Sequence, residues 1–207
     1  MKRIFALASV AVLMVAGIVT TIGVGSASAA LKTATGTITC TTLKGKVTFT
    51  PALKLVGTPS VTTDIAKVTV TATGCTTSGS NIPVVTKGVA TATIVTSGAG
   101  ANAFTNLLTS KTVQFKVLWY KGTAQIAKPS FITMSGYDVV TGTGGVVGFS
   151  MPQAAGGSSL VTGSFAGATH STALAYTTMT QSQLSAKAGS STGLTKVVIG
   201  SGSFSVK

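Results

Sequence analysis

The sequence predicts an all-β protein, folded as an antiparallel β-sandwich with a barrel as the alternative, and one short helix near the C-terminus. Three observations favour this fold class. Threonine occurs 37 times among the 207 residues, and its β-branched side chain suits a pleated sheet better than a helix. Apolar and polar residues alternate in many short segments. Turns rich in glycine and serine separate these segments at the spacing typical of sandwiches and barrels.

The clearest alternation lies in two segments. Residues 67–73 alternate between apolar and threonine side chains, and residues 111–120 form the longest and most apolar strand candidate, which we expect to lie centrally. Val68, Val70 and Ala72 share one face of the first segment, and the core side chains predicted from the second are Val113, Phe115, Val117 and Trp119. Further strands are predicted at 35–40, around Val47 and Phe49 up to Pro51, and at 89–95, 131–140, 145–151, 159–166, 171–178 and 195–206.

One helix has a local signal. Thr180 and Gln183 have the spacing of a capping box, in which each side chain bonds to the backbone N–H of the other residue. Residues 181–188 are compatible with about two helical turns. Gly189 follows at the position where a left-handed C-cap is expected.

The N-terminus has the pattern of a secretory signal. Residues 1–3 carry positive charge, residues 4–24 are apolar or small, and residues 27–29 form the small-x-small step of a cleavage site. An uncleaved anchor is the alternative, because roughly 20 apolar residues can span a bilayer. The Ala-x-Ala step favours cleavage. We therefore expect a signal peptide at 1–29, a single β-sandwich domain at 30–207, no transmembrane segment after cleavage, and a secreted or cell-envelope location.

Cys40 and Cys75 are the only cysteines of the chain. In an exported protein an even pair predicts a disulfide. The competing interpretation is a metal or thiol site, but two cysteines and the distant His170 are too few ligands for structural zinc. We predict a Cys40–Cys75 disulfide and no metal or cofactor site.

The composition argues against enzymatic chemistry. The chain has no Glu, and Asp64, Asp138 and His170 are its only acidic and histidine residues. A serine–histidine–aspartate triad can be assembled on paper, but no Gly-x-Ser-x-Gly elbow supports it. Glycosidases need two positioned carboxylates, and no motif surrounds the two aspartates. We interpret Asp64 as a turn or strand-start residue and Asp138 as an exposed strand residue, and we predict no catalytic residues.

The positive charge is the main functional hint. The full chain carries a formal charge of +13, and removal of Lys2 and Arg3 would leave +11. The remaining basic residues are all lysines, dispersed singly along the chain. Nucleic-acid readers concentrate charge and use arginine, so no nucleic-acid partner is expected. Dispersed lysines serve solubility and guard strand edges, or they attract anionic cell-envelope polymers or lipid headgroups.

Two classes of function remain. The first is an exported, non-enzymatic binding protein of the envelope or the medium. The second is a structural surface or fimbria-like subunit. A pilin that assembles by strand donation needs a free N-terminal donor strand, whereas Cys40 ties the first strand into the domain.

Several segments in order resemble a known family. They are GTITC at 36–40, KVTFTP at 46–51, VTATGC at 70–75, the Trp119 strand, Pro129-Ser130, GSFAG at 163–167, and Leu184 with Gly193-Leu194 downstream. The chain resembles, over nearly all of its predicted mature length, a family of secreted, uncharacterised actinobacterial β proteins of about 200 residues, close to the 207 found here. The resemblance implies an exported β fold and no known activity.

Members of this family often carry four cysteines. The resemblance implies that the third is replaced near Ala103 and Phe104, and the fourth at Ala188. Their joint loss is what a missing second disulfide would produce, because a single remaining thiol would be reactive.

We predict that export is accompanied by cleavage after Ala29, because only this site joins an apolar segment to a small-x-small step. N-terminal sequencing of the exported protein should begin at Ala30. An intact Met1 in a membrane fraction would show that the segment is an anchor.

Overall fold

Antiparallel pairing connects nearly every part of the chain. The structure, a computed structural model, describes residues 35–80, 82–153, 157–166, 168 and 170–207, and these belong to one compact unit. The predicted signal peptide at 1–29 lies outside the described residues. The strands are β1 (Thr35–Leu53), β2 (Thr63–Ser80), β3 (Lys87–Ser97), β4 (Thr112–Lys121), β5 (Ala124–Gln125), β6 (Ser130–Ser135), β7 (Asp138–Thr141), β8 (Val146–Met151), β9 (Ser159–Gly163), β10 (Ser171–Thr180) and β11 (Leu194–Val206).

All of these strands join one antiparallel sheet. Their order is β7-β8-β10-β11-β1-β2-β3-β4-β6-β9, and the short β5 pairs with β4. With 63% strand and 10% helix, the all-β antiparallel class is confirmed. The sheet is open and curled into a half-barrel, so the two layers expected of a sandwich are parts of one continuous sheet. The expectation that residues 111–120 lie centrally is wrong, because β4 stands third from one end and β1 and β2 occupy the middle.

A bent strand brings the two ends of the sheet together. Only Gly136 and Tyr137 separate β6 from β7, although these strands lie near opposite ends of the strand order. β8 pairs with β7 at one end of this order, and β9 pairs with β6 at the other. The single strand predicted at 131–140 is therefore divided at Gly136, whose φ of 98° is in the region that favours glycine.

The concave face holds the core. The four predicted core side chains of β4 are buried, with exposed fractions between 0% and 9%, and Val68, Val70 and Ala72 of β2 are buried as well. Trp119 is fully buried, its indole N–H donates to Ser130 Oγ at 2.8 Å, and its ring makes an edge contact with Phe165 at 5.5 Å between centroids. Gly88 makes room for this ring, because a Cβ there would lie 3.2 Å from it. The neighbouring Tyr120 points outward, half-buried under the Lys87 ammonium.

The predicted disulfide is present and joins the two middle strands. Cys40 and Cys75 lie directly opposite each other in the pairing of β1 with β2, and their sulfur atoms are bonded. Cys40 is completely buried. The bond closes a loop of 35 residues, which in the chain-entropy account stabilises the fold by roughly 3–4 kcal/mol.

Pro51 does not end its strand as expected. β1 continues to Leu53, and its pairing with β11 shifts register between Thr48 and Leu53. Pairing with β2 ends at Thr50. Pro51 thus lies where the ladder is already interrupted, a position at which its missing N–H is tolerated.

The predicted C-terminal helix is confirmed as α2 (Gln181–Gly189), after a one-turn helix α1 (Thr105–Leu108) that was not predicted. Thr180 and Gln183 form the capping box at its start. The left-handed cap at Gly189 is wrong. Ser190 follows in an extended conformation, and its hydroxyl donates to Lys187 O at 2.7 Å; the left-handed glycine is Gly193, with φ 73°.

The two positions at which the family resemblance implies lost cysteines lie beside one segment. Ala103 forms a bridge with Lys54, and the N–H of Leu55 donates to Ala188 O at 3.1 Å. Hydrogen bonds of the 54–55 backbone therefore connect the two regions that the resemblance leaves without a second disulfide.

Replacing Cys75 with Ser should lower the free energy of unfolding by about 2–5 kcal/mol, because the unfolded chain regains the entropy of the open loop. Denaturant unfolding of the variant and of oxidised wild type measures this loss. Wild type under reducing conditions is the matched control and should show a comparable loss. A variant as stable as oxidised wild type would contradict the stabilising role of the bond.

Candidate functional site

A cavity lies inside the curl of the sheet. The space that the centres of water molecules can reach there is about 120 Å³, and its walls are almost entirely apolar. The cavity exists because several residues on the inward face have small side chains; larger side chains at these positions would fill it. The small residues come from β2, β3 and β10 and are Ala66, Ala72, Gly88, Ala90, Ala173 and Ala175.

One end of the cavity carries a row of three polar side chains. Asp64 lies opposite Thr96 in the pairing of β2 with β3. The pairing of β3 with β4 places Thr91 opposite Lys116, and extension of this register puts Thr96 opposite Lys111. The ammonium of Lys111 donates to Thr96 Oγ1 at 2.5 Å, in agreement with that register. The three residues thus form a row across β2, β3 and the residue that precedes β4, and all three line the cavity.

Asp64 is the buried acid of this row. The residue is 3% exposed, and its Oδ1 atom is buried without a hydrogen-bond partner. Burial raises the pKa of Asp64 from 3.8 to about 6, although the Lys111 charge and the backbone N–H of Ile65 oppose this rise. Burial also lowers the pKa of Lys111, against the opposing effect of Asp64. Each group therefore lies in an environment that disfavours its charged form.

The polar end meets solvent beside α1. Thr96, Asn106 and Lys111 are half-buried there. Tyr137 holds the chain around α1, because its hydroxyl lies 3.0 Å from Leu107 O and 2.7 Å from Thr109 O. The same burial raises the pKa of Tyr137 to about 12, so its hydroxyl stays protonated and able to donate.

The outer face of the sheet gathers lysines that are far apart in sequence. One row runs Lys46, Thr69, Thr91, Lys116 across four strands. A second row runs Lys196, Thr48, Lys67, Thr93. With strands about 4.8 Å apart, the backbones of the two lysines are about 14 Å apart in the first row and about 10 Å apart in the second. We call this surface, together with the exposed Lys44 and the half-buried Thr71 beside Lys46, the lysine–threonine face.

No carboxylate side chain opposes the lysine–threonine face. Asp64 points into the cavity, and Asp138 begins β7 near one end of the sheet. These are the only acidic side chains of the whole chain. Neither row of the lysine–threonine face contains an acidic residue.

The residues considered for catalysis are not grouped. His170 is exposed, and its backbone is hydrogen-bonded to that of Lys207. Asp64 is buried on β2 and lines the cavity. Within the described ranges, no group of three or more His, Cys, Asp or Glu side chains could hold a metal ion. In the same ranges, no helix is both long and apolar enough to cross a bilayer.

Comparison of the chain with protein-family models, with curated proteins and with solved structures finds no match.

The polar row was missed by the sequence interpretation, although a signal for it exists. Asp64 lies an even number of positions from Val68 and Val70, and Lys111 lies an even number of positions from Val113 and Phe115. Alternation extended to the strand ends would have placed both charges on the buried face. The interpretation of Asp64 as a strand-start residue is correct in position, but this residue is also the buried acid of the cavity.

The pKa of Asp64 predicts a pH dependence of stability. The folded protein binds this proton more tightly than the unfolded chain, so the free energy of unfolding falls as pH rises from about 4 to about 6. Asp64→Asn lacks this titration. Thermal unfolding of both proteins from pH 4 to 8 should show the melting temperature of the variant rising relative to wild type as pH increases. A difference that does not change with pH would contradict the raised pKa.

Proposed function

We propose that the protein is an exported, non-enzymatic binding protein that associates with anionic cell-envelope polymers or lipid headgroups through its lysine–threonine face. The alignment of Lys46, Lys67, Lys116 and Lys196 in two neighbouring rows carries this proposal. Separations of about 10–14 Å compare with a Debye length of about 10 Å at 0.1 M salt. The fields of neighbouring lysines therefore overlap and act together on an extended anion.

The chemistry of the face suits phosphate and carboxylate groups in series. The four lysines are exposed, and so are three of the four threonines in the two rows. Ammonium groups supply long-range attraction, and hydroxyl groups donate hydrogen bonds at contact. The Cys40–Cys75 disulfide supports a location outside the cytoplasm, since such bonds persist in oxidising compartments.

The geometry gives less support to a structural, fimbria-like subunit. Residues 38–40 pair with β2 on one side and with β11 on the other, so this segment is not available for donation to another subunit. The strands at the two ends of the sheet, β7 and β9, have four and five residues. Short edge strands are a feature that limits pairing between molecules.

The test is binding of the purified protein to anionic vesicles and, separately, to isolated cell-wall polymer, at salt concentrations from 0.05 M to 1 M. The triple variant Lys46→Gln, Lys67→Gln, Lys116→Gln should bind about 100-fold more weakly, because each lysine near an anionic surface contributes about 1 kcal/mol. Wild-type binding should be lost near 1 M salt, where the Debye length is about 3 Å.

The matched control removes the same charge from elsewhere. Lys121, Lys128 and Lys187 are exposed and lie outside the face, so their triple replacement by Gln should weaken binding far less. Equal weakening by both triple variants would refute the role of the face. Absence of wild-type binding at 0.05 M salt would refute the proposal itself. Vesicles and wall polymer, tested separately, distinguish the two sources of anions.

A further inference from the structure

We infer that the interior cavity is a binding site for a small, uncharged, largely apolar molecule that carries a hydroxyl group, with the hydroxyl held between Asp64 and Lys111. This site is separate from the lysine–threonine face, since it lies on the opposite side of the sheet.

The apolar part of the ligand follows from the cavity walls. Seven strands contribute to them, and the large side chains among them include Phe49, Phe115 and Phe149. Apolar cavities of about 150 Å³ stay dry and bind benzene-sized molecules. A cavity of about 120 Å³ therefore suits a single ring or a short alkyl chain.

The hydroxyl group of the ligand is inferred from the polar row of Asp64, Thr96 and Lys111. Asp64 Oδ1 is a buried acceptor without a partner, and buried polar atoms are normally hydrogen-bonded. Lys111 uses one of its three N–H donors on Thr96. A hydroxyl group both donates and accepts, so it can satisfy the carboxylate oxygen and receive a bond from the ammonium at once.

The same pair of charges disfavours ionic ligands. An amine placed at Asp64 would lie beside the Lys111 ammonium, and a carboxylate placed at Lys111 would lie beside Asp64. Among the described residues that line the cavity, the only other titratable side chain is Tyr137, whose hydroxyl is bonded to Leu107 and Thr109. Selectivity for a neutral head group is therefore a property of the Asp64–Lys111 pair.

Four probes of one shape test this inference: toluene, benzyl alcohol, benzylamine and benzoate, titrated at pH 8 and followed by calorimetry and ligand-observed NMR. Benzyl alcohol should bind wild type at least tenfold more tightly than toluene, a difference of about 1.4 kcal/mol. Both ionic probes should bind more weakly than the alcohol. Equal affinity for toluene and benzyl alcohol, or no binding of any probe, would overturn the inference.

Charge variants should change the order of the probes. Lys111→Met leaves the carboxylate alone, so benzylamine should gain at least tenfold over its wild-type affinity. Asp64→Leu leaves the ammonium alone, so benzoate should gain and the alcohol should lose its advantage over toluene. Asp138→Leu removes the same charge outside the cavity and should keep the wild-type order. An unchanged order in Lys111→Met and Asp64→Leu would refute the role of the pair.

A filling variant locates the site. Ala90 lines the cavity between Val70 and Val117 in the paired strands, so Ala90→Leu should occupy the space and abolish binding of all four probes. Near-ultraviolet circular dichroism and a free-thiol count verify that each variant is folded. Because the Ala90 side chain points into the cavity, on the opposite side of the sheet from the lysine–threonine face, vesicle binding should persist in this variant. This separates failure of the cavity site from failure of the proposed function. Retained benzyl alcohol binding in folded Ala90→Leu would place the site elsewhere.

Discussion

The pairing of β1 with β2 determines which side chains enter the interior. Fifteen residue pairs join the two strands in a single register, which is interrupted only at Thr41 and Gly74. Side chains alternate with a period of two, so a slip of one residue would exchange the apolar and threonine faces of both strands. The Cys40–Cys75 bond lies within this ladder and prevents such a slip. The inward row from Asp64 to Ala72 and the outward row of Lys67 and the threonines both depend on this register.

Because the sheet is curled, this register determines which side chains line the narrow concave side and which cover the wide convex side. The concave side is narrow enough that glycine and alanine are needed on several strands, and these small residues leave the cavity. The convex side is wide and accepts β-branched and charged residues without crowding. Successive side chains of these strands point alternately to the concave and the convex side of the sheet. The same alternation therefore produces the cavity on one side and the lysine–threonine face on the other.

Local patterns in the sequence accounted for much of this fold. Alternation identified the buried side chains from Val113 to Trp119, and the capping box identified the start of α2. The joining of all strands into a single curled sheet could not be predicted, because it depends on pairings such as β6 with β9 and β1 with β11 that local periodicity does not contain. The lysines were described as dispersed, since Lys46 and Lys116 are neighbours in a row only through the strands between them. The polar row could have been predicted from the even spacing of Asp64 from Val68 and Val70. Asp64 was instead interpreted from its turn-like neighbours.

The pairing of the first strand with the last has a consequence for the order in which the sheet forms. Ile38 pairs with Val206, so the middle of the sheet joins strands from opposite ends of the described chain. Until β11 pairs with it, β1 has only β2 as a partner, and one of its edges is open. Contacts between residues so far apart in sequence form slowly, and unpaired edges promote aggregation. The early β1–β2 hairpin, once its disulfide has formed, can keep its alignment while it waits for the C-terminal strand that completes the sheet.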